Sequence, residues 1–303
     1  MSDAPPPHAL LRPRIALPFL LTALIWGSTW YVITGQIADA SASWSIAWRF
    51  MIATPAMFLV ALLMRRPLAL GPRGQMLAVM IGLFQFCGNF NFVYRSEMHL
   101  TSGIVAVMFS IVFVPNALLG RAMLGEPISG RFLLGSLVAL SGIALLLVHE
   151  ARVSPLGGNV VLGIGLGMLG MLSASFANII QAGSVGRVLP MASLLAWSML
   201  YGTAFNIAIA WWAEGVPVLP VVPAFWYGLV WLALAGSVVT FPLYYQLVRE
   251  LGAGRAAYNG VAVVIIAMLI STLAEGYGWS LLAIGGALLA LFGLLIALRA
   301  RQA

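Results

Sequence analysis

Hydrophobic residues form long unbroken runs along this chain, separated by short polar stretches that carry most of the arginines. A helix needs about 20 mainly apolar residues to cross the ~30 Å hydrocarbon core of a bilayer. The runs do not alternate every second position as barrel strands do, so they favour membrane-spanning helices. Ten runs are long enough, and they cover residues 15–34, 44–63, 74–95, 101–120, 129–148, 157–180, 190–212, 224–248, 254–273 and 279–298.

Composition supports the same fold class. Of the 303 residues 62% are hydrophobic and only 8% are charged, whereas soluble domains carry about 25% charged residues. The ten runs leave almost no sequence for a separate soluble domain. We therefore predict an all-α integral membrane protein with ten transmembrane helices, and we expect the lipid bilayer to surround it.

The charged residues are distributed unevenly between the two sides of this predicted bundle. With the N-terminus inside, only Arg95 and Arg152 lie in outer loops, whereas Glu97, Glu150 and Glu275 lean outward. Twelve arginines then fall in cytoplasmic segments: Arg12, Arg14, Arg65, Arg66, Arg73, Arg121, Arg131, Arg187, Arg249, Arg255, Arg299 and Arg301. This positive-inside bias predicts that both termini are cytoplasmic. The net charge of +7 forms no basic patch, so we expect no nucleic-acid partner.

An internal repeat divides the chain into two halves. Residues near the third and fourth runs recur at a constant offset of 151, pairing Tyr94 with Tyr245, Gly103 with Gly254 and Ala106 with Ala257. Because each half has an odd number of helices, the second copy starts on the opposite side of the membrane, which predicts inverted repeats and favours transport. The expected segments are a cytoplasmic tail 1–14, a first five-helix repeat 15–148, an outer linker 149–156, a second five-helix repeat 157–298 and a cytoplasmic tail 299–303.

Three short motifs add a family resemblance. The runs Trp26-Gly27-Ser28-Thr29-Trp30, Trp48-Arg49-Phe50 and Gly125-Glu126-Pro127, within two five-helix halves, resemble the EamA family of the drug/metabolite transporter superfamily. The resemblance covers nearly the whole chain, which is most similar to bacterial exporters of aromatic and other neutral amino acids. It implies a multi-pass carrier of the bacterial inner (plasma) membrane that moves a small molecule by alternating access and needs no cofactor.

The resemblance also implies where the substrate cavity lies. In the family a central cavity is lined by helices 1–4 and 6–9, with helices 5 and 10 at the periphery. The chain departs from an exact duplication, because Ala274 replaces the glycine before Glu275 and the seventh helix has no arginine that matches Arg49. The two halves are therefore not expected to play identical roles.

Polar and aromatic residues inside the runs are the candidate binding residues. Gln85 and Asn89 share a helix face, as do Trp26 and Trp30, and Trp197 and Tyr201; Asn178 and Tyr245 lie near inner helix ends. Polar groups within a span are costly and mark pathways, although hydrogen bonds between helices and simple aromatic packing are alternative roles. Facing a cavity, the rings would attract an ammonium group by cation–π interaction of about 0.5–2 kcal/mol.

Arg49 is the one charge well inside a run, about one turn from the outer end of the second helix. Its guanidinium group would bind a substrate carboxylate with two hydrogen bonds, or else reach the outer interface or bond neighbouring carbonyls. Both roles remain open at this point. With the rings, a guanidinium group on the cavity wall favours a zwitterionic amino acid.

Absent residue types narrow the function further. No aspartate or glutamate lies near the predicted bilayer midplane, which weakens a multidrug antiporter as the alternative function and leaves the energetic coupling open. An enzyme is disfavoured because His8, His99 and His149 all lie at helix ends or loops, no HExxH motif occurs, and the chain contains no lysine. We therefore expect neither catalysis nor a bound metal.

Overall fold

The computed structural model describes residues 12–153, 158–251 and 259–300, with side chains described at all of these positions except 245, 248–251 and 298–300. The described residues form eight helices that are long and apolar enough to cross a membrane and two shorter apolar ones; they form no strand. The helices are α1 Pro13–Asp39, α2 Ala42–Leu63, α3 Gly71–Glu97, α4 Ser102–Leu124, α5 Gly130–Val153, α6 Val160–Ala182, α7 Met191–Glu214, α8 223–251, α9 Asn259–Ala274 and α10 Leu281–Ala300, with a short helix Ser184–Val188 before α7.

Three of the long helices depart from regular α geometry in their middle. A π-helical segment occupies Gly82–Asn89 in α3, and a second one occupies Trp231–Val239 in α8. In α4 a 3₁₀ turn covers Ser110–Val112. The two π-helices stand in the third helix of each half. Such irregular segments are often found at functional sites.

The second helices of the two halves, α2 and α7, pack against each other in opposite directions. Near one end Trp44 Nε1 donates to the Gly215 carbonyl at 3.2 Å. In the middle the hydroxyls of Thr54 and Thr203 are 2.9 Å apart. The two helices are therefore antiparallel along their whole length.

The fifth helices, α5 and α10, are antiparallel as well and pack backbone against backbone. A Cβ atom added at Gly293 would meet the backbone of Ala139, and one added at Gly135 would meet the backbone of Ala297. Near one end of this pair the His149 ring nitrogen Nε2 lies 2.9 Å from the Gly278 carbonyl. Only glycine allows such a close approach of two helices.

The remaining contacts between the halves come in matching pairs. In the first half α1 packs against α8 and α9, and in the second half α6 packs against α3 and α4. Trp26 donates to the Gly236 carbonyl of α8, and Ser173 of α6 donates to the Phe84 carbonyl of α3. The first helix of each half thus packs against the third and fourth helices of the other half. Such a reciprocal set of contacts is expected when a twofold axis relates the two halves.

Several segment ends differ from the sequence expectations. Arg95 and Arg152, expected in outer loops, lie in the last turns of α3 and α5. The helix α5 continues to Val153, so helix occupies the first part of the expected linker 149–156. The repeat residues Gly254 and Ala257 and the side chain of Tyr245 lie outside the described residues.

Candidate functional site

A cavity of about 270 Å³ lies inside the bundle, where the two halves meet. Its described lining comes from α1, α2, α3, α4, α6, α8 and α9, with Leu294 of α10 at its edge. No described residue of α7 lines it. The resemblance implied a contribution from the seventh helix and none from the tenth, so the cavity is displaced towards α10. The antiparallel contact between α2 and α7 explains this, because it fills the space beside α7 with side chains.

Six of the residues singled out by sequence reasoning line this cavity: Trp26, Trp30, Arg49, Gln85, Asn89 and Asn178. They come from α1, α2, α3 and α6, which are distant in sequence. Polar side chains and aromatic rings from four helices thus line the same cavity. Their role in binding a substrate stays a prediction.

On α1 the two tryptophans stand one turn apart and play different parts. Trp26 donates to the Gly236 carbonyl at 3.3 Å and packs its ring 5.1 Å from that of Tyr244. Trp30 packs 5.2 Å from the Phe109 ring, while its buried Nε1 has no hydrogen-bond acceptor among the described residues. Trp30 therefore offers a free donor at the cavity.

On α3 the π-helical segment brings Gln85 and Asn89 to the cavity. The Asn89 side chain is buried, and its Oδ1 accepts no hydrogen bond from any described residue. A buried amide oxygen without a donor costs about 1–3 kcal/mol. Asn89 therefore offers an acceptor that a bound molecule can satisfy.

Arg49 lies on the cavity wall and is only 2% exposed. Its Nε and Nη2 donate to the Ser237 hydroxyl at 3.3 and 3.2 Å, and its Nη1 donates to the Tyr94 hydroxyl at 3.3 Å. The guanidinium group stacks 4.5 Å from the centre of the Phe90 ring. It does not extend to the interface, and its partners are hydroxyls where carbonyls were one expectation.

The charge of Arg49 is not matched by a direct ion pair within the described part of the chain. The three hydrogen bonds of the guanidinium group go to neutral hydroxyls, and it has five N–H groups in total. A buried cation held by neutral partners favours an anionic ligand, since a charge removed from water is costly unless it is paired. The arginine thus gives the cavity a positive wall with donors to spare.

The structure places two other predicted residues away from the cavity. Trp197 donates to the Leu68 carbonyl at 2.9 Å and meets the Phe58 ring edge-on. Tyr201 donates to the Gln75 side chain at 3.0 Å. These bonds join α7 to α3 and to the segment before it, which is the alternative role of helix-to-helix contact. The side chain of Tyr245 lies outside the described residues.

Sequence reasoning missed several aromatic residues of the cavity. Phe90, Phe109, Phe113 and Phe241 all line it. Phe109 and Phe113 are four positions apart in the fourth run, which is the spacing that singled out Trp26 and Trp30. The same test applied to phenylalanine would have found this pair.

A group of three carboxylates lies where α3 turns into α4. Glu150 of α5 accepts hydrogen bonds from the backbone and side chain of Thr101, both at 3.1 Å. Glu275 accepts from the backbone and side chain of Ser102 at 3.3 and 2.6 Å. Glu97 is 1% exposed and neither of its oxygens has a donor among the described residues. Glu97 is therefore buried inside the bundle, and its expected position on the outer side of the membrane stays a prediction.

Metal binding finds no support in this arrangement. Among residues 12–153, 158–251 and 259–300, no three or more His, Cys, Asp or Glu side chains are placed to hold a metal ion.

A comparison with protein families matches the chain twice. The model of the EamA-like transporter family matches residues 14–148 and again residues 161–299. The chain therefore contains two copies of this family unit, in agreement with the repeat seen in its sequence.

Individual proteins give the same picture. The chain is 25% identical over 140 residues to "Protein PagO" of Salmonella typhimurium and 24% identical over 139 residues to an "Uncharacterized transporter" of Buchnera aphidicola, in both cases over 46% of each chain. It thus spans about half the length of these curated relatives. A solved crystal structure superposes with a TM-score of 0.69 at 19% identity, covering 96% of this chain and 99% of that one, which shows the same fold. The chain is a multi-pass membrane protein and belongs to the EamA-like transporter family.

Proposed function

We propose that this protein exports amino acids, aromatic and other neutral ones, across the bacterial inner membrane by alternating access. The observation that carries the proposal is the cavity, which combines a buried guanidinium group with aromatic rings and with polar atoms that lack partners. A free amino acid has a carboxylate, an ammonium group and a side chain, and each finds a complementary group on this wall.

The carboxylate would bind at Arg49. The guanidinium N–H groups that Ser237 and Tyr94 leave free are able to form charge-assisted hydrogen bonds with it. Trp30 lines the same cavity, and its Nε1, which has no acceptor among the described residues, would donate a further bond. The carboxylate thereby supplies the negative charge that the buried arginine lacks.

The ammonium group would bind at Asn89, whose Oδ1 accepts no hydrogen bond from the described residues. Gln85 and Asn178 line the same cavity and add further amide groups. Trp26 and the neighbouring rings offer cation–π attraction to the ammonium and apolar area to an aromatic side chain. These six residues, with Tyr245 as an untested seventh, are the proposed substrate-binding residues; Trp197 and Tyr201 are proposed as helix-contact residues instead.

The dimensions and charge of the cavity favour an amino acid over a cationic drug. At about 270 Å³ it lies near the lower end of the range for small-molecule sites, roughly 300–1,000 Å³. The positive charge of Arg49 would repel a lipophilic cation. An exporter of cationic or lipophilic compounds is therefore the second choice.

The architecture supports alternating access. We propose ten transmembrane helices in two inverted five-helix repeats, with both termini cytoplasmic and with the segment boundaries given in the sequence analysis. The antiparallel pairs α2–α7 and α5–α10 support it, since corresponding helices of inverted repeats run in opposite directions. A carrier of this design performs no catalysis.

The direct test uses proteoliposomes loaded with labelled phenylalanine, labelled threonine or a fluorescent quaternary ammonium dye. We expect efflux of phenylalanine, and of threonine more slowly, from vesicles that contain the protein, and retention of the dye. Vesicles without protein give the leak rate. Efflux of the dye with retention of both amino acids would reverse the order of the two proposed functions.

A further inference from the structure

Glu97 is a buried carboxylate at the end of α3. It is 1% exposed, and both of its oxygens lack a hydrogen-bond partner among the described residues. An ionised carboxylate needs several donors or an adjacent cation to offset its lost hydration. A carboxylic acid in the same place carries no net charge and needs neither.

The groups around Glu97 connect it to the cavity. Arg49 of α2 and Glu275 after α9 both interact with it electrostatically. Tyr94 lies one turn before it on α3 and accepts a hydrogen bond from Arg49. Glu150 of α5 in turn interacts electrostatically with Glu275. Arg49 therefore lines the cavity and also interacts electrostatically with Glu97.

We propose that Glu97 is a proton-binding site of the carrier, and that a proton is bound there together with the substrate carboxylate at Arg49. The proton is taken from water on one side of the membrane, forms an O–H bond with a Glu97 oxygen, and returns to water on the other side when that bond breaks. The identity of the substrate in this statement rests on the proposed function.

The sign of the coupling follows from the charges. Burial and the neighbouring Glu275 favour the protonated form of Glu97, whereas the positive charge of Arg49 favours its ionised form. A substrate carboxylate on Arg49 cancels that positive charge, so Glu97 then favours its protonated form. Substrate and proton therefore strengthen each other's binding, and the coupling is reciprocal. They move in the same direction, and export occurs where the outward substrate gradient exceeds the inward proton gradient.

The same carboxylate is placed to act on helix α4. Glu275 caps the first turn of α4 through Ser102, and like charge on Glu97 pushes against it. Protonation of Glu97 removes this repulsion. Since α4 lines the cavity through Ala106, Phe109 and Ser110, the proton state of Glu97 acts on a helix that the substrate touches.

The first test needs no substrate and asks whether Glu97 holds a proton. Infrared spectra of the protein in lipid vesicles are recorded during a pH titration, and the carboxylic-acid carbonyl band is followed. We expect a band that grows as the pH falls, that is missing in Glu97→Gln, changes frequency in Glu97→Asp and is unchanged in Glu214→Gln, which alters an exposed carboxylate at the end of α7. A spectrum that Glu97→Gln and Glu97→Asp leave unchanged would overturn the proposal.

The second test follows labelled phenylalanine and internal pH together in proteoliposomes. The wild type should move protons with phenylalanine, and Glu214→Gln should do the same. Because glutamine resembles a permanently protonated Glu97, Glu97→Gln should exchange phenylalanine within about twofold of the wild-type rate and lose all proton movement. Proton movement that survives in Glu97→Gln refutes the coupling. Absence of phenylalanine movement in the wild type refutes the proposed function instead, and the infrared result still decides whether Glu97 binds a proton.

Discussion

The two places where the halves of this protein meet are built in opposite ways. At the α5–α10 pair, glycines and alanines bring the two backbones into direct contact. At the centre, tryptophan, arginine and asparagine side chains surround an unfilled space of about 270 Å³. Both regions join helices that are far apart in sequence, yet one excludes any side chain and the other leaves room for a molecule.

This contrast separates stability from binding. Close backbone contact gives the van der Waals packing that holds helices together in lipid, where the hydrophobic effect contributes little. Unpaired groups such as Trp30 Nε1 and Asn89 Oδ1 give no stability to the empty protein. Substitutions at the α5–α10 pair should therefore change stability, and those at the cavity should change transport.

The largest effect is expected from Gly293→Leu in α10. A Cβ at this position would already lie 2.7 Å from the Gly135 carbonyl oxygen, and backbone atoms cannot rotate away. We expect a loss of about 3 kcal/mol in the free energy of unfolding, at the upper end of the usual cost of overpacking. Unfolding of the purified protein in mixed detergent with increasing dodecyl sulfate measures it.

The matched control is Gly285→Leu on the same helix, because an added Cβ there meets nothing within 4 Å. It should leave the unfolding midpoint close to that of the wild type. If both leucine variants unfold at the same detergent concentration, the α5–α10 contact does not carry the stability that we assign to it.

A smaller effect, on transport, is expected from Arg49→Gln. Removal of the carboxylate partner should raise the KM for phenylalanine about thirtyfold, which corresponds to about 2 kcal/mol. Arg49→Lys keeps the charge and loses the planar fork, so it should recover only part of the affinity. Counterflow of labelled phenylalanine into loaded vesicles gives both values.

Arg95→Gln is the comparison for this change. Arg95 donates to Ser43 at 2.8 Å and to the Asn91 side chain at 2.7 Å, and it does not line the cavity. Its loss should lower stability and leave the KM unchanged. Equal KM values for the wild type and Arg49→Gln would remove Arg49 from the binding site.

Much of this division between helix packing and cavity lining could be predicted from the sequence. The length of the apolar runs predicted the helices, and the cost of polar groups inside a span singled out Gln85, Asn89 and Asn178, all of which line the cavity. Periodicity also predicted that Trp26 and Trp30 share a face. These inferences were possible because they depend only on the periodicity of the α-helix and on the apolar lipid that surrounds it.

The sequence does not show which part of the bundle each helix face packs against. Trp197 and Tyr201 have the same spacing of four as Trp26 and Trp30, yet their face packs on α3 and on the segment before it. Glu97 lies at the end of its helix, and the sequence does not show that it is buried or that it interacts with Glu275, which is far away in sequence. Helix periodicity defines a face, and only the packing of the whole bundle decides what that face meets.

The smallest effects are expected from Trp30 and Trp197. Each lies four positions from a second aromatic residue, so the sequence does not distinguish them. Trp30→Phe removes an Nε1 that bonds no described residue, so stability should stay the same while the KM for phenylalanine rises about fivefold, or about 1 kcal/mol. Trp197→Phe removes the donor to the Leu68 carbonyl, so it should cost about 1 kcal/mol of stability and leave the KM unchanged. Measured side by side, unfolding and counterflow should show this crossed pattern. A KM that rises in Trp197→Phe and not in Trp30→Phe would move the binding site from α1 to α7, since each variant removes the same chemical group.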